Sequence, residues 1–182
     1  MIKHHYQRGV TLIEVLLTIF ITGVGLMGLA ALQLRAIQAT NDSSQNSQGM
    51  WVLLDLVGRM QVNTAAASGA AYLANLKGTD FCVAANEPAR LCATHYDAGT
   101  VQGVECTGAE LAAFDLWDVM CGSTRDGTTI SHQAWNLVQP QLTITCTPGA
   151  GSCTRYNLNL SWNNQNDSSQ SNSASFQVEL PQ

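Results

Sequence analysis

The chain has 182 residues, 46% of them hydrophobic and only 12% charged, with a formal net charge of −5. That length leaves room for one globular domain beside an anchor. Eight basic against 13 acidic residues argue against a surface that holds nucleic acid by its phosphates, which needs a basic patch.

Residues 1–9 (MIKHHYQRG) form a polar leader, basic at Lys3 and Arg8. From Val10 to Leu34 the only charged group is Glu14. A helix crosses a bilayer with ~20 apolar residues, and this stretch is longer. A carboxylate inside such a segment costs roughly 2.5–3.5 kcal/mol on insertion scales, so it calls for a partner. A secretory signal would carry an apolar core of roughly 7–15 residues with a small-residue cleavage site after it. Here the core runs on further, and the small residue, Gly9, precedes it. Lys3 and Arg8 predict an N-terminus held in the cytoplasm and residues beyond about 36 outside; Arg35, just past the span, runs mildly against that rule. Gly23, Gly25 and Gly28 each weaken the helix by ~1 kcal/mol relative to Ala. They fit either a segment that admits a neighbour closely or the ordinary tolerance of glycine in membrane helices.

Thr40 to Gly49 (TNDSSQNSQG) is rich in poor helix formers and reads as an exposed helical stretch or a local break. Met50, Leu53, Leu54, Val57 and Met60 then recur at helical spacing, and a helix continuing to residue 62 against a sheet is the expectation. Asp55 and Arg59 are placed to pair, for a few tenths of a kcal/mol. Asn63 to Ala74 reads as a flexible linker or short helix, and 75–106 as loop with short elements. Thr107 and Glu110 have the spacing of a capping box, opening a helix with apolar Leu111, Phe114, Leu116, Trp117 and Met120. Asp115 and Asp118 on it read as a solvated face. Asp126-Gly127 marks a turn, and Thr129 to Val138 is a short helix stopped before Pro140, or a loop.

The last third alternates with period two, the mark of strands buried on one face. Leu142, Ile144 and Cys146 form one such set, Tyr156, Leu158, Leu160 and Trp162 a second, and Phe176, Val178 and Leu180 a third. The reading is a three-stranded antiparallel meander over the Met50–Met60 helix, joined by a turn at Cys146–Cys153 and a polar loop from Asn163 to Ser173. The fold class is therefore α+β.

Six cysteines, Cys82, Cys92, Cys106, Cys121, Cys146 and Cys153, lie beyond the span and read as disulfides in an oxidising compartment. Six allow 15 connectivities. The Pro148-Gly149 turn is expected to set Cys146 opposite Cys153, and Cys82–Cys92 and Cys106–Cys121 follow as sequential neighbours. Cys92 and His95 have no matching second pair, so no metal or cofactor is expected. His95 and His132, the only histidines beyond the leader, belong to no nucleophile or metal-protease motif; no catalytic residue is assigned and no enzyme is expected. Trp117, Trp135, Trp162 and Tyr156 read as core or as an adhesive surface, with strand alternation favouring core for Trp162.

Gly9-Val10-Thr11-Leu12-Ile13-Glu14-Val15 resembles the processing motif of type IV prepilins and related pseudopilins. The resemblance implies cleavage by a prepilin peptidase between Gly9 and Val10, N-methylation of Val10, and an assembly role for Glu14. The residue after the cut is often Phe in that family and is Val10 here. Glu14 lies about one helical turn from the new terminus, so a neighbour's terminal ammonium could neutralise it and set axial register. Loss of the leader removes Lys3 and Arg8, leaving 6 basic against 13 acidic groups and a net charge of −7.

The anchor from Glu14 to Gln33, with Thr40-Asn41-Asp42-Ser43-Ser44-Gln45 and the segment Met50 to Met60, is similar to PilV-type minor pilins, the type IV pilus modification proteins. The resemblance implies a pilin-like fold, a long N-terminal helix packed on a C-terminal antiparallel sheet. Its divisions would be a leader (1–9), a membrane and assembly helix (10–34), its periplasmic continuation (35–62) and a disulfide-containing head (63–182). It implies a minor pilin that helps prime pilus assembly and joins a tip complex for twitching motility and adhesion. The implied partners are other minor pilins, the major pilin, the prepilin peptidase, the inner-membrane assembly platform and membrane lipid, with no direct nucleic acid. The implied location is a single-pass inner-membrane precursor with a periplasmic head, then the pilus at the cell surface. The alternative on the same leader is a minor pseudopilin of a type II secretion system.

Overall fold

The computed structural model describes residues 9–92, 95–97, 100–102, 104–122, 134, 137–149, 152–164 and 169–180. The leader charges Lys3 and Arg8, the Asp126-Gly127 turn, His132, Trp135 and most of 129–138 lie outside the described residues. The chain divides into two units, residues 1–41 and 42–182.

Helix α1 (Leu12–Val62) runs 51 residues without a break. In the first unit every described residue is exposed, and the helix is long and apolar enough to cross a membrane. Its hydroxyls are satisfied within the helix: Thr18 Oγ1 donates to the Val15 carbonyl at 2.9 Å and Thr22 Oγ1 to that of Thr18 at 2.8 Å. Internal satisfaction of this kind is what a hydrocarbon surrounding demands. The polar stretch from Thr40 to Gly49 stays helical by the same device, Thr40 Oγ1 bonding to the Ala36 carbonyl and Ser47 Oγ to that of Ser43.

In the second unit α1 buries Gln45, Gly49, Val52, Leu53, Leu56, Val57 and Met60, a stripe at helical spacing. This corrects the expected face: Met50 and Leu54 are 38% and 41% exposed, and Val52 and Leu56 take their places in the core. The sequence from Met50 to Met60 is apolar on nearly every side, so periodicity alone does not choose. Gly49 does. A Cβ there would stand 2.7 Å from the Trp162 ring, so the helix turns its glycine to the indole.

After Asn63 the chain forms α2 (Thr64–Ser68), β1 (Ala74–Lys77), α3 (Gly78–Phe81) and a 3-10 turn at Ala84–Asn86. The flexible-linker reading fails here, because Ala67 and Tyr72 are fully buried and Tyr156 donates its hydroxyl to the Ala67 carbonyl. A two-stranded ribbon follows, β2 (His95–Asp97) against β3 (Thr100–Gln102). Helix α4 (Gly108–Cys121) carries the expected capping box: Thr107 Oγ1 accepts from the Glu110 N–H, and the Glu110 carboxylate accepts from the Thr107 N–H at 2.8 Å.

Strands β4 (Val138–Gly149), β5 (Ser152–Asn163) and β6 (Ser171–Glu179) make the expected meander, and β1 adds a fourth strand on the β4 edge, giving the antiparallel order β1-β4-β5-β6. Val138 already belongs to β4, and a register shift between Val138 and Gln141 accommodates Pro140, which as proline lacks a ladder donor. The core is shared between α1, α4 and one sheet face, with Leu53, Leu56, Met60, Met120, Leu142, Leu160 and Trp162 nearly or wholly buried. The fold is a long N-terminal helix, apolar in its first part, whose second-unit portion packs on a four-stranded antiparallel sheet, an α+β pilin-like architecture.

Three disulfides join Cys82 to Cys121, Cys92 to Cys106, and Cys146 to Cys153. Cys82–Cys92 and Cys106–Cys121 are therefore corrected: α3 and α4 pack together and set Cys82 beside the last residue of α4. Nor do Cys146 and Cys153 face each other in the ladder. Cys146 pairs with Tyr156 and Cys153 with Pro148, and the register shift after Thr147 brings their Cα atoms to 5.5 Å. The turn residues Ala150 and Gly151 lie outside the described residues.

Candidate functional site

Two groups of residues carry the chemistry, one at each end of α1. At the N-terminal end, Gly9, Val10 and Thr11 precede the helix. A Cβ on Gly9 would meet nothing within 4 Å, so among the described residues no packing requires a glycine there. Val10 is 73% exposed. The helix opens with backbone bonds from Glu14 and Val15 to the Thr11 carbonyl, at 3.0 and 3.3 Å. Glu14 therefore stands in the first turn, where unpaired backbone N–H groups give the helix end partial positive charge and favour a carboxylate. It is exposed.

At the other end, Arg59 gathers three carboxylates. It pairs with Asp55 one turn earlier at 3.1 Å and reaches α4, meeting Asp115 at 3.3 Å and Asp118 at 2.6 Å. Asp115 and Asp118 are 4% and 9% exposed, which overturns their reading as a solvated face. Tyr72 donates its hydroxyl to Asp115 Oδ2 at 2.6 Å. Asn63, at the end of α1, donates to the Tyr72 hydroxyl and to the Gly108 carbonyl. Burial pushes the Asp115 carboxyl above its ordinary range, against the bonds from Tyr72 and Arg59 that favour its charge. Burial opposes the Arg59 charge too, but hydrogen bonds and attraction from Asp118 and Asp55 hold the guanidinium well above its usual value. Burial, together with the bond to Asp115, raises the Tyr72 phenol. The cluster is a polar pin that fixes α4 to the end of α1. Each charged member already has its partner, so the arrangement serves structure and leaves no poised nucleophile or base.

Of the aromatic candidates, Trp117, Trp162 and Tyr156 are core, and Trp135 lies outside the described residues. Trp117 is 3% exposed and meets Phe81 edge-on, with ring centroids 5.6 Å apart. Trp162 and Tyr156 are buried. Sequence reasoning passed over Trp51, which is 72% exposed on the head portion of α1. Its signal was there: a tryptophan one residue off the expected buried stripe. Cys92, considered with His95 as a metal pair, is bonded to Cys106.

Comparison with known proteins bears on both ends. A model of the prokaryotic N-terminal methylation motif matches residues 4–30, and the Tt1218-like family model, type IV pilin Tt1218, matches residues 31–117. No curated protein and no solved structure matches the chain. The methylation motif implies processing by a prepilin peptidase and assembly with other pilins, and the long apolar helix fits membrane anchoring. The two matches abut to cover residues 4–117, and together with the fold they support a type IV pilin-type protein.

Proposed function

We propose that this chain is a PilV-like minor pilin of a type IV pilus. It helps prime assembly and joins a tip complex with other minor pilins above the major pilin, serving twitching motility and adhesion. Residues 1–9 are a leader removed by the prepilin peptidase, and Val10 becomes the methylated N-terminus. Residues 10–34 hold the precursor in the inner membrane, where the assembly platform extracts it. Residues 35–62 carry the helix on, and 63–182 form a head that waits in the periplasm before reaching the cell surface.

The observation that carries this reading is Glu14. It is the single charge between Val10 and Leu34, a stretch in which every residue is exposed, set one turn after the exposed Gly9-Val10 junction. A buried carboxylate in a stack of such helices is tolerated when a neighbour's terminal ammonium pairs with it.

The test is intact mass and location together. Chain extracted from cells that assemble pili should lack residues 1–9 and carry one added methyl on Val10, and Gly9→Leu should leave the precursor uncut. Glu14→Ala should be made at the wild-type level yet be missing from sheared pili. A mature chain that keeps its leader, or Glu14→Ala incorporated like wild type, would refute the assignment. Recovery with a type II secretion apparatus in place of pili would identify a minor pseudopilin.

A further inference from the structure

At the end of the sheet where β1 and β5 finish and β4 and β6 begin, there is a cavity of about 530 Å³, the usual size of a small-molecule site. Most of its lining is neutral and hydrogen-bonding: the amides of Gln139, Gln141 and Asn163 and the hydroxyls of Ser161 and Ser171. Lys77 and Asp80 add one charge of each sign. The two apolar members, Pro140 and Trp162, are both buried.

The walls are fixed by the fold. Gly78 sits so close to Pro140 that a Cβ there would stand 2.9 Å from the proline ring. Asn163 Nδ2 donates to Gln139 Oε1 at 2.8 Å, and Gln141 Nε2 to Asn75 Oδ1 at 3.2 Å. These bonds orient the amides and leave the Gln139 amino group and the Asn163 carbonyl oxygen to bond elsewhere. Two features of the lining cost stability. Gln139 has φ 51°, a left-handed backbone that residues other than glycine adopt under strain. Trp162 meets Gly49 with the benzene end of its indole, while its buried Nε1–H has no hydrogen-bond partner among the described residues; a buried donor left unpaired is costly. Strain and an unmet donor at one cavity are features that ligand sites retain.

We propose that this cavity binds a neutral glycan. An ion finds no net charge in the lining to hold it. An apolar ligand, or the centre of a protein interface, finds no exposed apolar or aromatic surface. Sugar hydroxyls donate and accept at once, which is the complement of oriented amides and serine hydroxyls. The same chemistry continues across the sheet, where Asn75, Thr143, Asn159 and Ser175 are paired strand to strand on one face. A chain of sugar rings leaving the cavity therefore has further neutral groups to meet. The inference goes beyond the assembly reading above and stands on the head's own geometry.

The test uses the full chain, purified in a zwitterionic detergent that brings no sugar headgroup. It is applied to a printed array of neutral, sialylated and sulfated oligosaccharides, and the best-bound neutral one is then titrated by calorimetry. The expected result is binding to neutral glycans with no preference for their charged counterparts. Gln139→Gly relieves the left-handed backbone while removing the amide, so it should melt no lower than wild type yet bind about tenfold more weakly. Ser171→Trp fills the cavity from an exposed position and should abolish binding without lowering Tm. Gln177→Ala, exposed on β6 and outside the lining, should bind like wild type. No neutral glycan bound, binding to charged glycans alone, or either cavity variant binding like wild type would overturn the site. Leader removal and recovery in pili are measured separately in cells, so the site can fail while the pilin reading stands, and the reverse.

Discussion

Removing the guanidinium of Arg59 tests whether the polar pin holds the head together. Arg59→Met keeps most of the side-chain length and deletes the charge facing Asp115 and Asp118, whose side chains are 6% and 12% exposed. Breaking a buried pair by removing one partner costs ~3–5 kcal/mol, because the charge left behind is uncompensated. Arg59 is itself 24% exposed and Asp115 keeps its bond from Tyr72, so the lower end applies, about 3 kcal/mol. For a domain of this size that is a fall of roughly 10 °C in Tm. The loss should also depend on pH. Asp115 has a raised pKa in the folded protein, so its ionisation weakens the fold as pH rises through that value. Without Arg59 the pKa rises further. The gap between variant and wild type should be widest at neutral pH and narrow as falling pH protonates Asp115. Thermal melts of the full-length protein in detergent, followed by near-ultraviolet circular dichroism from pH 4 to 8, measure both. A loss below ~1 kcal/mol, or a gap that does not change with pH, would show that the cluster behaves as an ordinary surface ion pair.

Gly49→Ala should lower stability by ~1–3 kcal/mol, the usual cost of overpacking a core, since its Cβ would stand 2.7 Å from the Trp162 ring; Gly58→Ala, with open space around it, is the matched control and should change stability by less than ~1 kcal/mol. Replacing Cys82 and Cys121 together by Ser should cost more than replacing Cys146 and Cys153. The sequence separations are 39 and 7 residues, and chain entropy gives ~4 against ~2 kcal/mol. Urea unfolding of the two double variants ranks them, and equal losses would contradict the entropic argument.

Local signals in the sequence determined much of this protein. The charge-free run around Glu14 defines an anchor helix because few other structures satisfy twenty-odd apolar residues in lipid. Thr107 and Glu110 start α4 because a capping box closes within four residues, and the alternation from Leu142 to Leu180 gives three strands because side chains switch faces at every residue. Tertiary structure decided what those signals leave degenerate. Which face of Met50–Met60 enters the core depends on where Trp162 arrives, a hundred residues later in the chain. Asp115 and Asp118 look solvated until Arg59 comes within reach across α1 and α4. Tyr72 and Ala67 lie in a run of small residues whose burial follows from Tyr156 on a distant strand, and β1, four residues long, is a strand because β4 pairs with it. Cys82 finds Cys121 because α3 packs on α4, a closeness in space that spacing along the chain cannot encode.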